Sequence, residues 1–173
     1  MIAQGNKCTA NARYAITEIT ADTLESSKVM QLVWNVFEEF EAYQYSAKGV
    51  KEFKDFLNIL QYKRLLDNSE MIMWGSFHNG KIIGTIAVRP PNHISLLFVD
   101  KQYHRQGIAR ALYQTFLEYS KKYNCSEISV NSSLYAVEAY KRLGFVATDT
   151  EQENEKGIRF VPMKHKFHCQ ETT

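Results

Sequence analysis

Apolar and polar positions along the chain change period several times. Tyr14, Ile16 and Ile19 lie in a short β-prone stretch, and Ala21-Asp22-Thr23 then offers the capping chemistry that opens a helix. Leu24, Val29, Leu32, Val33, Val36, Phe37 and Phe40 recur mostly at three and four residues, which predicts an amphipathic helix with Glu38, Glu39 and Glu41 around its end. A second helix is predicted on Val50, Phe53, Phe56, Leu57 and Leu60. Residues 71–78 and 81–89 are β-prone and flank Asn79-Gly80, a strong hairpin signal because both turn residues must reach positive φ. Pro90-Pro91-Asn92 interrupts pairing, and residues 93–100 continue the meander as another strand.

The character changes at Tyr103-His104-Arg105-Gln106-Gly107, which leads into a helix with Ile108, Ala111, Leu112, Phe116 and Tyr119 on one face. A short strand at 127–131 precedes a helix around 135–143 that Gly144 ends as a C-terminal cap. A strand from Phe145 and a last strand at 158–167, after Gly157, complete the order β, α, α, β, β, β, α, β, α, β, β. This is an α/β chain with a mixed sheet covered by helices.

Composition narrows the picture. With 173 residues, 45% of them hydrophobic, the chain supports one core and is too short for two ordinary domains. The expected domain is 13–167, between a loose leader at 1–12 and a loose tail at 168–173. A net charge of +2 lacks the dense positive surface of a nucleic-acid binder, and no apolar stretch is long enough for a membrane span or a secretory signal. Cys8, Cys125 and Cys169 are odd in number and widely spaced, which suits a reducing cytoplasm better than a disulfide framework. His78, His93, His104, His165 and His168 form no ligand cluster beyond the terminal His-x-x-His pair, so no metal is expected. Oligomeric state is not readable from these features.

The most specific chemistry lies at 97–112. A helix start exposes unpaired N–H groups and the positive end of the helix dipole, so successive amides from Arg105 to Arg110 can surround a pyrophosphate. Gly107 permits close backbone approach, and Ala109 keeps the first turn uncrowded. A dinucleotide-binding loop would instead need GxGxxG soon after a first strand, and here only Gly107 is available, late in the chain.

This stretch resembles the acetyl-CoA signature of the GNAT family of N-acetyltransferases: Arg or Gln, two variable residues, Gly, one variable residue, then Gly or Ala. His104 stands where Arg or Gln is usual, Gly107 and Ala109 match, and Arg105 and Gln106 fill variable positions. A second stretch, 130–145, is similar to the family's strand, loop, helix and terminal Gly-Phe, here Gly144-Phe145. The resemblance covers roughly 13–167, the first fifty or so residues by element order only.

It implies a single GNAT-like domain: a mostly antiparallel mixed sheet of six to seven strands flanked by about four helices. A strand ending at Val99 would splay from one ending near Asn131 to form an acetyl-CoA cleft. Leu97, Phe98 and Val99 would pair with the pantetheine arm like an added strand. His104, Arg105, Gln106, Gly107, Ile108, Ala109 and Arg110 would hold the phosphates. Asn131 either offers its amide to the cofactor or caps the following turn, and Ser133 is a second candidate contact.

Tyr140 matches the family's Tyr four residues before Gly-Phe, where a phenol could protonate the departing thiolate; the alternative is a core aromatic on the stripe of Ala136, Val137 and Leu143. The acceptor arrives as an ammonium, so a base is useful, and Glu39 or His93 are the candidates, with Glu38 and Glu41 close by. Attack with water carrying off the proton is also open. The implied activity is acetyl transfer from acetyl-CoA to a primary amine of a small molecule or peptide, by direct attack in a ternary complex with the Val99 amide polarising the thioester carbonyl. The alternative is a non-catalytic acetyl-CoA sensor or structural module. Phe40, Tyr43 and Tyr45 beside the carboxylates suit a cationic acceptor or, equally, a solvated helix end.

Overall fold

A computed structural model describes residues 14–167; the expected leader and tail lie outside the described residues, as does His168. The strands are β1 (Ala15–Glu18), β2 (Ile72–His78), β3 (Lys81–Arg89), β4 (His93–Val99), β5 (Glu127–Ser132), β6 (Val146–Ala147), β7 (Gln152–Glu153) and β8 (Arg159–Lys166). The helices are α1 (Val29–Phe40), α2 (Ala47–Phe56), α3 (Ile59–Asp67), α4 (Ile108–Lys122) and α5 (Val137–Arg142). The sheet runs β1-β2-β3-β4-β5-β8-β6, with β7 also on β8. Its pairs are antiparallel except β4 with β5.

The β2–β3 hairpin forms where expected, closing at His78↔Lys81 with Asn79 at φ 49° and Gly80 at φ 75°. Every residue of β3 from Ile82 to Val88 is buried, because helices cover both faces of the sheet. On one face α1 and its neighbours pack Val33, Phe37 and Tyr62 against Met73, Ala87 and Leu96. On the other, Leu112, Phe116 and Tyr140 meet Ile83, Ile86, Ile128 and Met163. Each fully buried Leu or Phe contributes about 2–3 kcal/mol of transfer free energy, so the two layers hold the strands in register.

Three expectations need correction. The first helix does not start at Ala21-Asp22-Thr23: Thr23 Oγ1 accepts from Thr20 N at 2.9 Å to close a turn, and regular helix begins only after Lys28 at φ 59°. The second predicted helix is two, because Asn58 Oδ1 accepts from Leu60 N and Gln61 N at 3.0 and 3.1 Å and so caps a new one. The described chain therefore has five α-helices, not about four, and eight strands, the surplus arising from the two-residue β6 and β7.

The β7–β8 hairpin docks on the start of α2. Gly49 packs so tightly against Gly157 that an added Cβ would lie 2.5 Å from its carbonyl oxygen. Lys48 Nζ donates to Glu155 O at 2.6 Å, and Lys156 pairs with Glu52 at 3.5 Å. This contact sets one wall of the cavity described next.

Candidate active site

β4 and β5 are partners only at His93↔Ser129 and Ile94↔Val130, yet β4 continues to Val99 along β3 and β5 continues to Ser132 along β8. Beyond Ile94 the two strands diverge. A register shift between Ala87 and Val88 leaves Ser95 without an opposite residue and bends β4 where the divergence starts. The alternate N–H and C=O groups of Ser95 to Val99 that do not face β3 thus border a gap. A cavity of about 400 Å³ occupies it, lined among others by Leu96, Leu97, Phe98, Asn131, Ser133 and Tyr140.

The loop at the open end presents backbone amides at a helix start. His104 Nε2 bonds Val99 O at 2.8 Å and its ring packs 5.5 Å from that of Phe40, so the side chain at the motif's departure ties the loop to the end of β4. Arg105 and Gly107 both take positive φ, 60° and 82°. The first intrahelical bond of α4 runs from Ala111 N to Gly107 O at 2.9 Å, so the amides of Ile108, Ala109 and Arg110 start the helix without an intrahelical acceptor. Fifteen residues of α4 put the positive end of their dipole there. Two side chains of this segment are engaged elsewhere: Arg110 Nη2 donates to Arg142 O at 3.0 Å and Gln106 Nε2 to Gln102 O at 3.0 Å.

On the opposite strand, Asn131 faces Pro162 in the register and lines the cavity. The turn into α5 is capped by Ser133, whose Oγ accepts from Ala136 N at 3.3 Å. Tyr140 is 6% exposed and packs edge-on to Phe145 at 5.3 Å while still lining the cavity. Burial raises its phenol well above the ordinary value, and the charge of Glu41 adds to the rise. The core-aromatic and cavity-facing readings of Tyr140 therefore coexist.

The carboxylates at the end of α1 separate sharply. Glu39 is 45% exposed and pairs with Lys101 Nζ at 2.7 Å, outside the cavity. Glu41 is 7% exposed and lines the cavity, where burial raises its carboxyl to about 7 against the lowering effect of a Ser133 hydrogen bond. Burial raises Tyr45 and Tyr135 as it does Tyr140, and the charge of Glu41 adds to the rise of each. His93 sits at the closed end, with Nδ1 2.9 Å from Ser129 Oγ, and burial followed by the charge of Arg89 lowers its pKa. Glu41, not the expected Glu39 or His93, is thus the buried carboxylate of the cavity; its signal in the sequence is that Val33, Phe37 and Glu41 share one face of the helical period, which sets a carboxylate on the apolar stripe. Among the described residues no three His, Cys, Asp or Glu side chains gather as a metal site, and no helix is long and apolar enough to cross a membrane.

A mixed sheet that opens at its parallel pair beside a helix N-terminus is the architecture of an acyltransferase fold. Residues 41–167 match the family model described as acetyltransferase (GNAT) domain, and the chain belongs to that family. It is 29% identical over 98 residues to N-acetyltransferase 8 of Homo sapiens, covering 50% of this chain and 43% of that protein. It is likewise 29% identical over 110 residues to the uncharacterized N-acetyltransferase YafP of Escherichia coli, covering 64% and 68%. The chain thus spans less than half of the first relative and about two thirds of the second. The structure superposes on the PaiA N-acetyltransferase of Thermoplasma acidophilum, solved with coenzyme A, at a TM-score of 0.74 and 16% identity, covering 89% of this chain and 99% of that one. The GNAT fold expected from the two motifs is the fold observed.

Proposed function

We propose that the protein is an N-acetyltransferase that moves an acetyl group from acetyl-CoA to a primary amine by direct attack, with Glu41 as base and Tyr140 as acid. The observation that carries this reading is the placement of a buried carboxyl near neutrality and a buried phenol on one cavity, beside an unpaired strand edge. The wedge fits an extended pantetheine arm. Backbone groups of Leu97, Phe98 and Val99 would hold it by strand addition, the amides around Gly107 to Arg110 would hold the pyrophosphate, and Asn131 would contact the arm from β5. Coenzyme A in the PaiA structure, and the acetyl-CoA in that of a streptothricin acetyltransferase from Bacillus anthracis, support this cosubstrate.

The acceptor nitrogen attacks the thioester carbonyl, the C–N bond forms, and the C–S bond breaks with its electron pair on sulfur. An ammonium loses two protons on becoming an amide. Glu41 takes one and passes it to solvent, while the second, lost from nitrogen after attack, replaces the proton that Tyr140 gives to the departing thiolate, so one proton per turnover is released. Base and acid are linked, because the negative charge of Glu41 helps hold the phenol proton. Once Glu41 is protonated that contribution ends and Tyr140 becomes the better donor.

Calorimetric titration with acetyl-CoA, with NAD and ATP as controls, followed by thiol release on adding amines, tests the reading. Selective micromolar binding and amine-dependent release are expected. Absence of acetyl-CoA binding refutes the wedge and loop assignment, while binding without release by any amine favours a sensor.

A further inference from the structure

The cavity extends past the reacting groups to the end where β4 and β5 pair, and there the half-buried His93 and the exposed Arg89 line its rim. Its other charged side chains pair locally: Glu52 with Lys156 at 3.5 Å, and Arg159 with Glu151, Nε to Oε1 at 2.6 Å, while Arg159 Nη1 also donates to Gln44 O at 3.1 Å. Two lining charges are left without an ion pair among the described residues, Glu41 and Arg89. They sit at opposite ends. Arg89 is the register partner of His93, which stands opposite Ser129, whereas Glu41 hydrogen-bonds Ser133. Four residues of extended chain separate those two levels, roughly 13 Å at about 3.3 Å each. Between them the lining is mixed: Phe53 and Phe56 from α2 and Leu96 and Phe98 from β4 supply apolar surface beside the polar Ser95 and Asn131.

Resting on the acetyl-transfer reading above, we propose that the acceptor carries a carboxylate separated from its amine by an apolar spacer, with the carboxylate seated on Arg89. An arginine fork matches a carboxylate in two parallel hydrogen bonds. His93 stands beside it: burial and the Arg89 charge lower its pKa and so disfavour a second cation there, and in the tautomer whose Nδ1 accepts from Ser129 Oγ its Nε2–H is a further donor. The buried Tyr62 hydroxyl, which has no hydrogen-bond partner among the described residues, is raised by burial and lowered by the Arg89 charge. An ω-amino acid, a diamino acid reacting at its side-chain amine and a short peptide reacting at its amino terminus all present this chemistry.

The test compares acceptors matched except for the carboxylate: 6-aminohexanoate against hexylamine, and lysine against 1,5-diaminopentane, by kcat/KM for thiol release. The carboxylate member of each pair should be preferred by about 30-fold, as expected for a charge-assisted bidentate contact. In Arg89→Gln the ratio should fall toward one, and Arg89→Lys, which keeps the charge without the fork, should restore part of it; circular dichroism melting verifies that both variants are folded. Equal use of both members, or a preference that survives Arg89→Gln, overturns the carboxylate subsite while leaving acetyl transfer standing. Turnover of other amines with neither pair accepted overturns it too. Failure to bind acetyl-CoA would remove the underlying reading instead.

Discussion

Replacing Glu41 with Gln should make the protein more stable and less active. Burial lifts the carboxyl from an ordinary 4.5 to about 7, and the residue is only 7% exposed, so solvent screening is slight. Because the native value lies above the unfolded one, the folded chain binds an extra proton between about pH 4.5 and 7; stability falls as pH rises through that window and is flat above it. At about 1.4 kcal/mol per unit the loss is about 3 kcal/mol. Glutamine is neutral at every pH and similar in shape, so Glu41→Gln should recover this at pH 8 and nothing below pH 4.5. For a chain of this size that gain is roughly 6–12 °C in Tm. Kinetically, wild-type kcat/KM for an amine of ordinary pKa near 10 should rise with unit slope to about pH 7 and level off where Glu41 is ionised. The variant must draw its free amine from solution, so its profile should climb on toward the amine's own pKa. The deficit should be about 10²-fold at pH 7 and shrink at pH 9. Thiol release between pH 5.5 and 9.5, with melting curves at pH 4 and 8, reads both effects. A variant profile that still levels near pH 7, or an unchanged Tm at pH 8, refutes the assignment.

Two further outcomes follow from the same geometry. Tyr140→Phe should lower kcat/KM about 10²-fold while acetyl-CoA affinity by calorimetry changes less than about threefold, and an equal loss in both would make Tyr140 a packing residue. Gly107→Ala places a Cβ at φ 82°, a strain of about 1–2 kcal/mol, and should weaken acetyl-CoA about tenfold, whereas Gly80→Ala, at φ 75° in the β2–β3 turn, should cost similar stability with affinity retained; equal affinities for the two variants would remove the loop from the binding site.

Local signals were legible where a few neighbouring residues decide the conformation. Asn79-Gly80 closes a hairpin on its own chemistry, Gly144 at φ 98° ends α5, and Gly107 opens α4. The break between α2 and α3 was also present in sequence as Asn58, but it sits among Phe56, Leu57, Ile59 and Leu60, whose continuous apolar character hides a cap. The left-handed Lys28 carries no such signal, since lysine has no special preference for that region, and the pattern therefore predicts too early a helix start. Strands β6 and β7 depend on pairing with β8, a non-local contact that two residues cannot announce.

The choice among Glu38, Glu39 and Glu41 marks the same boundary at the site. The helical period could separate them by direction, with Glu41 alone continuing the line of Val33 and Phe37, but a carboxylate at the end of a stripe reads as a solvated helix terminus unless something covers it. What covers it comes from far away in the chain: Ser133 and Tyr140 arrive on the opposite side of the wedge, and Tyr45 is held by its hydroxyl donating to Arg159 O at 3.2 Å. Glu39, two residues earlier, meets Lys101 and stays an ordinary surface ion pair worth at most about 1 kcal/mol. Glu41 meets no cation among the described residues, so its burial is a stability loss rather than a gain at neutral pH. A fold that tolerates that loss on the wall of this cavity has placed there a group able to exchange a proton near neutrality, and this is the physical reason for proposing Glu41 as the base rather than either neighbour.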